Sequence, residues 1–255
     1  MKNLREYIKL PKECSEEYNH IVLLSSGYDS TRVLKLVVDA VKSSGSTKEI
    51  HAIYLKVPGI IHGVKISTEL SHCRKIIKYI KNTYGVDVHF SVLNISADIP
   101  DEILDSNLSC RVGDGLYQPS IWVSSLAYLL PYIDKCIIHY SLVQSDSAPM
   151  YIDSIITIFE NIVEMYNKDI KINFPLMGYT KLESLMRFKD EDEELMNLCW
   201  CCELPSEVDT PCGHCSPCIY NKLYMNYMSD KDNNKSNEPL EDVVDDDVTV
   251  EVTAS

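Results

Sequence analysis

Residues 21–24 (Ile-Val-Leu-Leu) form a continuous apolar run, and a six-residue stretch rich in small and polar residues follows: Ser25-Ser26-Gly27-Tyr28-Asp29-Ser30. A helical pattern then covers residues 31–41, with Val33, Leu34, Leu36, Val37, Val38 and Val41 as its apolar positions. A buried strand, a tight loop and a helix in that order commit this part of the chain to a sheet with a helix packed back on it. The order also gathers backbone N–H groups and the positive end of a helix dipole at one point, which suits an anion. Ser30 or Asp29 suits the helix cap. The same letters fit an ordinary strand-to-helix turn with Gly27 left-handed, because short phosphate-loop patterns are easily met by chance.

The alternation continues downstream. Apolar strand patterns recur at residues 50–55, 86–93, 135–140 and 171–174. Between and after them, helical patterns cover residues 67–84, 119–130, 149–166, 180–188 and 219–228. The spacing predicts an α/β fold, a parallel sheet with helices on both faces. In such sheets ligands collect at the carboxyl ends of the strands, where the strand order reverses. The expected organisation is an N-terminal arm (1–18), a nucleotide-site domain (19–198), a cysteine-rich segment with a final helix (199–228) and an acidic tail (229–255).

Six of the ten cysteines crowd into one short stretch: Cys199, Cys201, Cys202, Cys212, Cys215 and Cys218. Cys14, Cys73, Cys110 and Cys136 are scattered, as ordinary buried thiols are. Cys212-Gly-His-Cys215-Ser-Pro-Cys218 spaces three thiols at metal-ligand intervals, and Gly213 lets the backbone fold the sulfurs toward one point. The fourth ligand comes from Cys199, Cys201 or Cys202, of which Cys202 is nearest; His214, between two ligands, suits the role less. Four thiolates suit a closed structural Zn²⁺ site, with an iron–sulfur cluster as the rival.

The formal charge of −14 disfavours general nucleic-acid binding. From residue 229 onward nine acidic residues face two lysines, a net of −7 and half of the total, so the tail is expected to stay solvated. No run approaches the ~18 apolar residues of a membrane helix. The N-terminal residues lack a signal-peptide core. A cytoplasmic protein without disulfides is therefore expected.

Together the loop and the cysteine pattern resemble the 7-cyano-7-deazaguanine synthases, members of the PP-loop ATP pyrophosphatases. That loop reads Ser-Gly-Gly-x-Asp-Ser; Ser25, Gly27, Asp29 and Ser30 match it, and Ser26 stands in place of the first glycine. The family's zinc pattern is matched by Cys202, Cys212, Cys215 and Cys218. Pro175-Leu176 with Lys181 and Glu183 is similar to a late family element, and Asp146 with Pro149 to part of its substrate loop. The resemblance spans roughly residues 20–220. It implies an adenine-nucleotide alpha-hydrolase-like (PP-loop) fold with a C-terminal zinc-binding knuckle.

The implied chemistry is adenylation of a carboxylate by ATP, with loss of pyrophosphate and attack by a nitrogen nucleophile. Ser25, Ser26, Gly27, Tyr28, Asp29 and Ser30 would hold the nucleotide. Asp29 would bind Mg²⁺, Lys181 would face the phosphates, and Asp146, His139 and Gln118 would stand near the second substrate. The family's Gly-Gln-Arg-His stretch has no clear counterpart after the second strand. Tyr117-Gln118-Pro119-Ser120 replaces its Gly-Arg-Asn, and Ala148 stands at a substrate-loop arginine. These departures resemble a divergent paralogue of the kind found in antiphage operons. The candidate partners are then a small-molecule 7-deazaguanine, a protein substrate or defence-system partner, and a second copy in a homodimer. Another PP-loop enzyme (a tRNA thiolase or amide synthetase) and an inactive zinc-stabilised subunit stay open beside this reading.

Overall fold

The computed structural model describes residues 17–56, 63–95, 122, 124–145 and 152–233, with side chains to residue 228. Gln118, Asp146, Ala148, Pro149, Cys14 and Cys110 lie outside the described residues, as does the tail beyond residue 233. Five strands form one sheet: β1 (Asn19–Leu23), β2 (Ile50–Lys56), β3 (Val88–Asn94), β4 (Cys136–His139) and β5 (Ile170–Asn173). All neighbours run parallel in the order β3-β2-β1-β4-β5. The order reverses beside β1, between β1 and β4, so a crevice opens where β1 hands over to its loop.

The strands form because alternate residues are apolar on both faces. Ile21, Leu23, Ile53, Leu55, Ile138 and Ile172 pack against α3 (Ile152–Tyr166) through Ile152, Ile155, Ile156 and Phe159. Val22, Leu24, Ala52 and Tyr54 face the other way. There they meet α1 (Tyr28–Ser44), α2 (Gly63–Tyr84) and α4 (Lys181–Met196) through Val33, Leu34, Val37, Ile76, Ile80 and Phe188. A last helix, α5 (Ser216–Asn233), buries Met228 in the same cluster. The expected α/β architecture with helices on both faces is thus the observed one. Among the described residues no helix is long and apolar enough to cross a membrane.

Three local expectations change. The helix after β1 starts at Tyr28 rather than residue 31, so Asp29 and Ser30 sit in its first turn and Gly27 is the N-cap, with no side-chain cap. The predicted helix to residue 130 gives way after Leu126 to a turn and a 3-10 helix, Leu130–Tyr132, where Pro131 has no N–H to continue an α-helix. The acidic residues 190–194 lie inside α4 rather than between elements. The helix breaks at Asp192, whose carboxylate accepts from Leu195 N–H (2.9 Å) and from the hydroxyls of Tyr79 and Tyr84.

Candidate functional site

The turn after β1 carries its left-handed residue at Ser26 (φ 64°), not at Gly27 (φ −67°). Ser26 therefore adopts, at a serine's conformational cost, the backbone that a glycine takes freely. Ser30 locks the loop: its Oγ accepts from Ser25 N–H (3.2 Å), meets Ser25 Oγ at 3.2 Å and donates to Gly27 O (3.1 Å). It is a brace within the loop rather than the expected helix cap. With no side chain capping α1, the amides of its first turn stay available to an anion.

Lys181 opens α4. Thr180 and Glu183 form a reciprocal capping box, and Lys181 N–H donates to Ser145 Oγ (3.0 Å) in the segment after β4. From there Lys181 Nζ forms an ion pair with Asp29 Oδ2, across 152 residues of sequence. The second oxygen, Asp29 Oδ1, is buried without a hydrogen-bond partner among the described residues. A buried carboxylate oxygen with no partner is a natural ligand for a hard dication.

Arg32, one turn beyond Asp29 and 2% exposed, fixes this geometry. It donates to Ser184 Oγ (3.1 Å) and to both oxygens of Glu191 (3.0 and 3.4 Å) on α4, and it lies 5.0 Å from the Tyr179 ring centre. Sequence reasoning missed Arg32; the available signal was an arginine amid the apolar face of residues 31–41.

The four cysteines chosen from the sequence converge. The Sγ atoms of Cys202, Cys212, Cys215 and Cys218 all lie within 4.8 Å of one another, and Cys202 and Cys215 are 4.0 Å apart. A tetrahedral Zn–S₄ centre with bonds of ~2.3 Å needs sulfurs about 3.8 Å apart, so the set fits with little adjustment. Gly213 turns the loop at φ 78°. Backbone N–H groups of Glu203, Cys212 and Cys215 point at the sulfurs (3.2 to 3.5 Å). Burial works against the Cys212 thiolate, but N–H groups of His214 and Cys215 outweigh it and hold that thiol down at about 6. His214 stays outside the group; its ring Nδ1 lies 2.9 Å from Cys212 O.

Cys199 and Cys201 do not join the cluster. Burial raises both thiols, Cys201 to about 11. The chain between them, at Trp200, docks on the loop: Trp200 N–H donates to Ser26 O (2.9 Å). The hydroxyl of Tyr28 donates to Asn221 Oδ1 of α5 (2.9 Å). Lys65 of α2 bridges Glu69 (3.6 Å) and Glu203, next to Cys202, which ties the knuckle to a third element.

His139 corrects an expectation. It is 0% exposed and its Nε2 lies 3.0 Å from His20 Nδ1, with the two rings stacked. The ring is buried at the end of β4, beside β1, and is not exposed to solvent. Burial lowers the pKa of His20 to about 4, and burial with the neighbouring His20 ring holds that of His139 well below its usual value. Both rings are thus neutral when folded, while an unfolded histidine protonates near 6.5. Stability is complete above about pH 6.5 and falls as the pH drops toward 4, by on the order of 2 kcal/mol at pH 5 for His20 alone. Thermal melts from pH 7.5 to 5 should show this decline, and a His20→Asn, His139→Phe pair should flatten it.

A family model described as "Queuosine biosynthesis protein QueC" matches residues 121–226, under half of the chain. The matched span holds Lys181 and all four clustered cysteines, and it begins well after the 25–30 loop. No curated protein matches the chain. Among solved structures, the U34-tRNA thiolase NcsA from Methanococcus maripaludis with its [4Fe-4S] cluster aligns with a TM-score of 0.48 at 15% identity. That alignment covers 91% of this chain and 71% of the thiolase. At that score and identity the likeness carries no weight for the chemistry.

Proposed function

We propose that this chain is a QueC-like, PP-loop ATP-dependent enzyme of the cytoplasm. In this reading it adenylates a carboxylate, 7-carboxy-7-deazaguanine foremost, and passes the acyl group to a nitrogen nucleophile. The observation that carries the reading is the ion pair between Lys181, inside the family-matched segment, and Asp29, in the anion loop outside it. Two parts of the sequence with separate claims to phosphate chemistry converge on one point.

In this mechanism the carboxylate oxygen attacks the α-phosphorus of ATP, and the bond to the bridging oxygen of pyrophosphate breaks. Charge builds on the leaving pyrophosphate. In this reading the amides of the first turn of α1, the Ser25 and Ser30 hydroxyls and Lys181 would stabilise it, and Asp29 would hold a Mg²⁺ carried in with the nucleotide. The nitrogen nucleophile then adds to the acyl carbon and AMP departs. With ammonia the product is an amide, which a second activation dehydrates to 7-cyano-7-deazaguanine; with a protein N-terminus, as in antiphage defence, it is a conjugate. Cys202, Cys212, Cys215 and Cys218 would hold a Zn²⁺ with four thiolates, which would serve structure rather than reaction.

The test is mass spectrometry of reactions containing ATP, Mg²⁺ and 7-carboxy-7-deazaguanine, with ammonia or with proteins encoded beside the gene. An amide, nitrile or protein adduct supports the proposal. ATP cleavage that ignores this acid and answers to another carboxylate or to a tRNA would replace the substrate and keep the site.

A further inference from the structure

The nucleotide loop and the cysteine knuckle share two direct links, and neither is needed to build the knuckle itself. Trp200 N–H donates to Ser26 O (2.9 Å), the carbonyl of the residue held at positive φ, while the Trp200 indole N–H donates to Cys202 O (3.0 Å). One residue thus holds the loop with its backbone and a metal-ligating residue with its side chain. On the other side of the loop, the Tyr28 hydroxyl donates to Asn221 (2.9 Å), one helical turn after the ligand Cys218. The knuckle's own apolar core is small: Trp200, Cys202 and Cys215, flanked by Cys212 and Cys218. Outside that cluster, Glu203 pairs with Lys65, and Asp209 with His72 and Lys75, all of α2, so closure of the four-sulfur centre orders chiefly the stretch that carries the cysteines.

We infer that Trp200 and Asn221 are positioning residues through which metal occupancy of the four cysteines sets the affinity of the 25–30 loop for nucleotide phosphates. The inference rests on the reading of that loop as a nucleotide site. When the metal leaves, Cys202 and Cys218 lose their common anchor. Trp200 then loses its grip on Ser26 O, and Asn221 loses Tyr28. The first turn of α1 keeps its helix but not the loop geometry that aims its amides. Because coupling between two binding sites is reciprocal, bound nucleotide must hold the metal more tightly by the same factor that metal strengthens nucleotide binding. While the stripped chain stays folded, a knuckle that only stabilises the fold would show no such exchange.

The test uses the full chain loaded with Zn²⁺ in a Trp122→Phe background, where Trp200 is the remaining tryptophan. Partition of Zn²⁺ between the protein and a competing colorimetric chelator is measured at equilibrium with and without a non-hydrolysable ATP analogue. Analogue affinity is measured by calorimetry on loaded and stripped protein, and Trp200 emission follows the knuckle. The expected result is Zn²⁺ affinity raised at least about fivefold by the analogue, and analogue affinity weakened by the same factor after stripping. Trp200 emission should shift to longer wavelength as the indole leaves its buried site. Asn221→Ala, which touches no ligand, should reduce both factors together. Asn221→Asp, which keeps an acceptor for Tyr28, should restore them. Equal nucleotide affinity with and without metal overturns the coupling and leaves the nucleotide site standing. No nucleotide binding even by the loaded protein overturns both.

Discussion

Replacing Lys181 with methionine is expected to lower ATP-dependent pyrophosphate release by at least about a hundredfold, because a donor aimed at developing charge contributes roughly 2.7–4 kcal/mol to a transition state. Methionine keeps the length of the stem and removes the cation that pairs with Asp29. Lys181→Arg should recover little, since a planar guanidinium cannot occupy the position of a compact ammonium. Folding should hardly change. The pair is partly open to solvent, with side chains 30% and 16% exposed, and such pairs contribute about 1 kcal/mol or less to stability. The check is steady-state pyrophosphate release beside thermal melts of the same preparations. A folded Lys181→Met protein with undiminished activity would remove Lys181 from the chemistry.

The second large effect is on the knuckle. Cys202→Ser should drop bound zinc from about one per chain to near none and release residues 199–218 to proteolysis, because Cys202 is a buried member of the four-sulfur set. Structural Zn²⁺ supplies apparent folding free energies on the order of 10 kcal/mol in small modules, so no local packing replaces it. Cys201→Ser, one residue away and outside the set, should keep full metal. Metal analysis of the two variants side by side decides the ligand. A brown protein with iron would replace zinc with a cluster.

The central strands were legible because β1 and β2 are apolar runs packed on both faces, and parallel strands so covered read as near-continuous hydrophobic stretches. β3, at the sheet edge, alternates instead: Val88, Phe90 and Val92 are half-buried, His89 and Ser91 exposed. The clustering of four cysteines was legible from spacing, since Cys202 is the candidate nearest to Cys212. Long-range pairs were not. Lys181 was singled out by motif resemblance, but nothing in the local sequence says that it meets Asp29. Trp200 and Asn221 carry no motif at all; their roles appear only once the knuckle docks on the loop. His139 misled because a histidine at the end of a strand looks like a site residue, and only the fold reveals His20 against it in the core. Ser26 looked like a departure from a glycine pattern, yet its backbone adopts the left-handed conformation regardless. Side-chain type described the letter, whereas the geometry was set by Trp200 and Ser30 around it.

The claim on which the rest depends is that the 25–30 loop, with Asp29 and Lys181, cleaves ATP between its α- and β-phosphates. The direct measurement is the fate of α-labelled ATP incubated with the zinc-loaded protein, Mg²⁺ and 7-carboxy-7-deazaguanine. The account predicts labelled AMP with pyrophosphate as its partner, and loss of both in Asp29→Ala. Labelled ADP with inorganic phosphate, or AMP formation undiminished in Asp29→Ala, would contradict it.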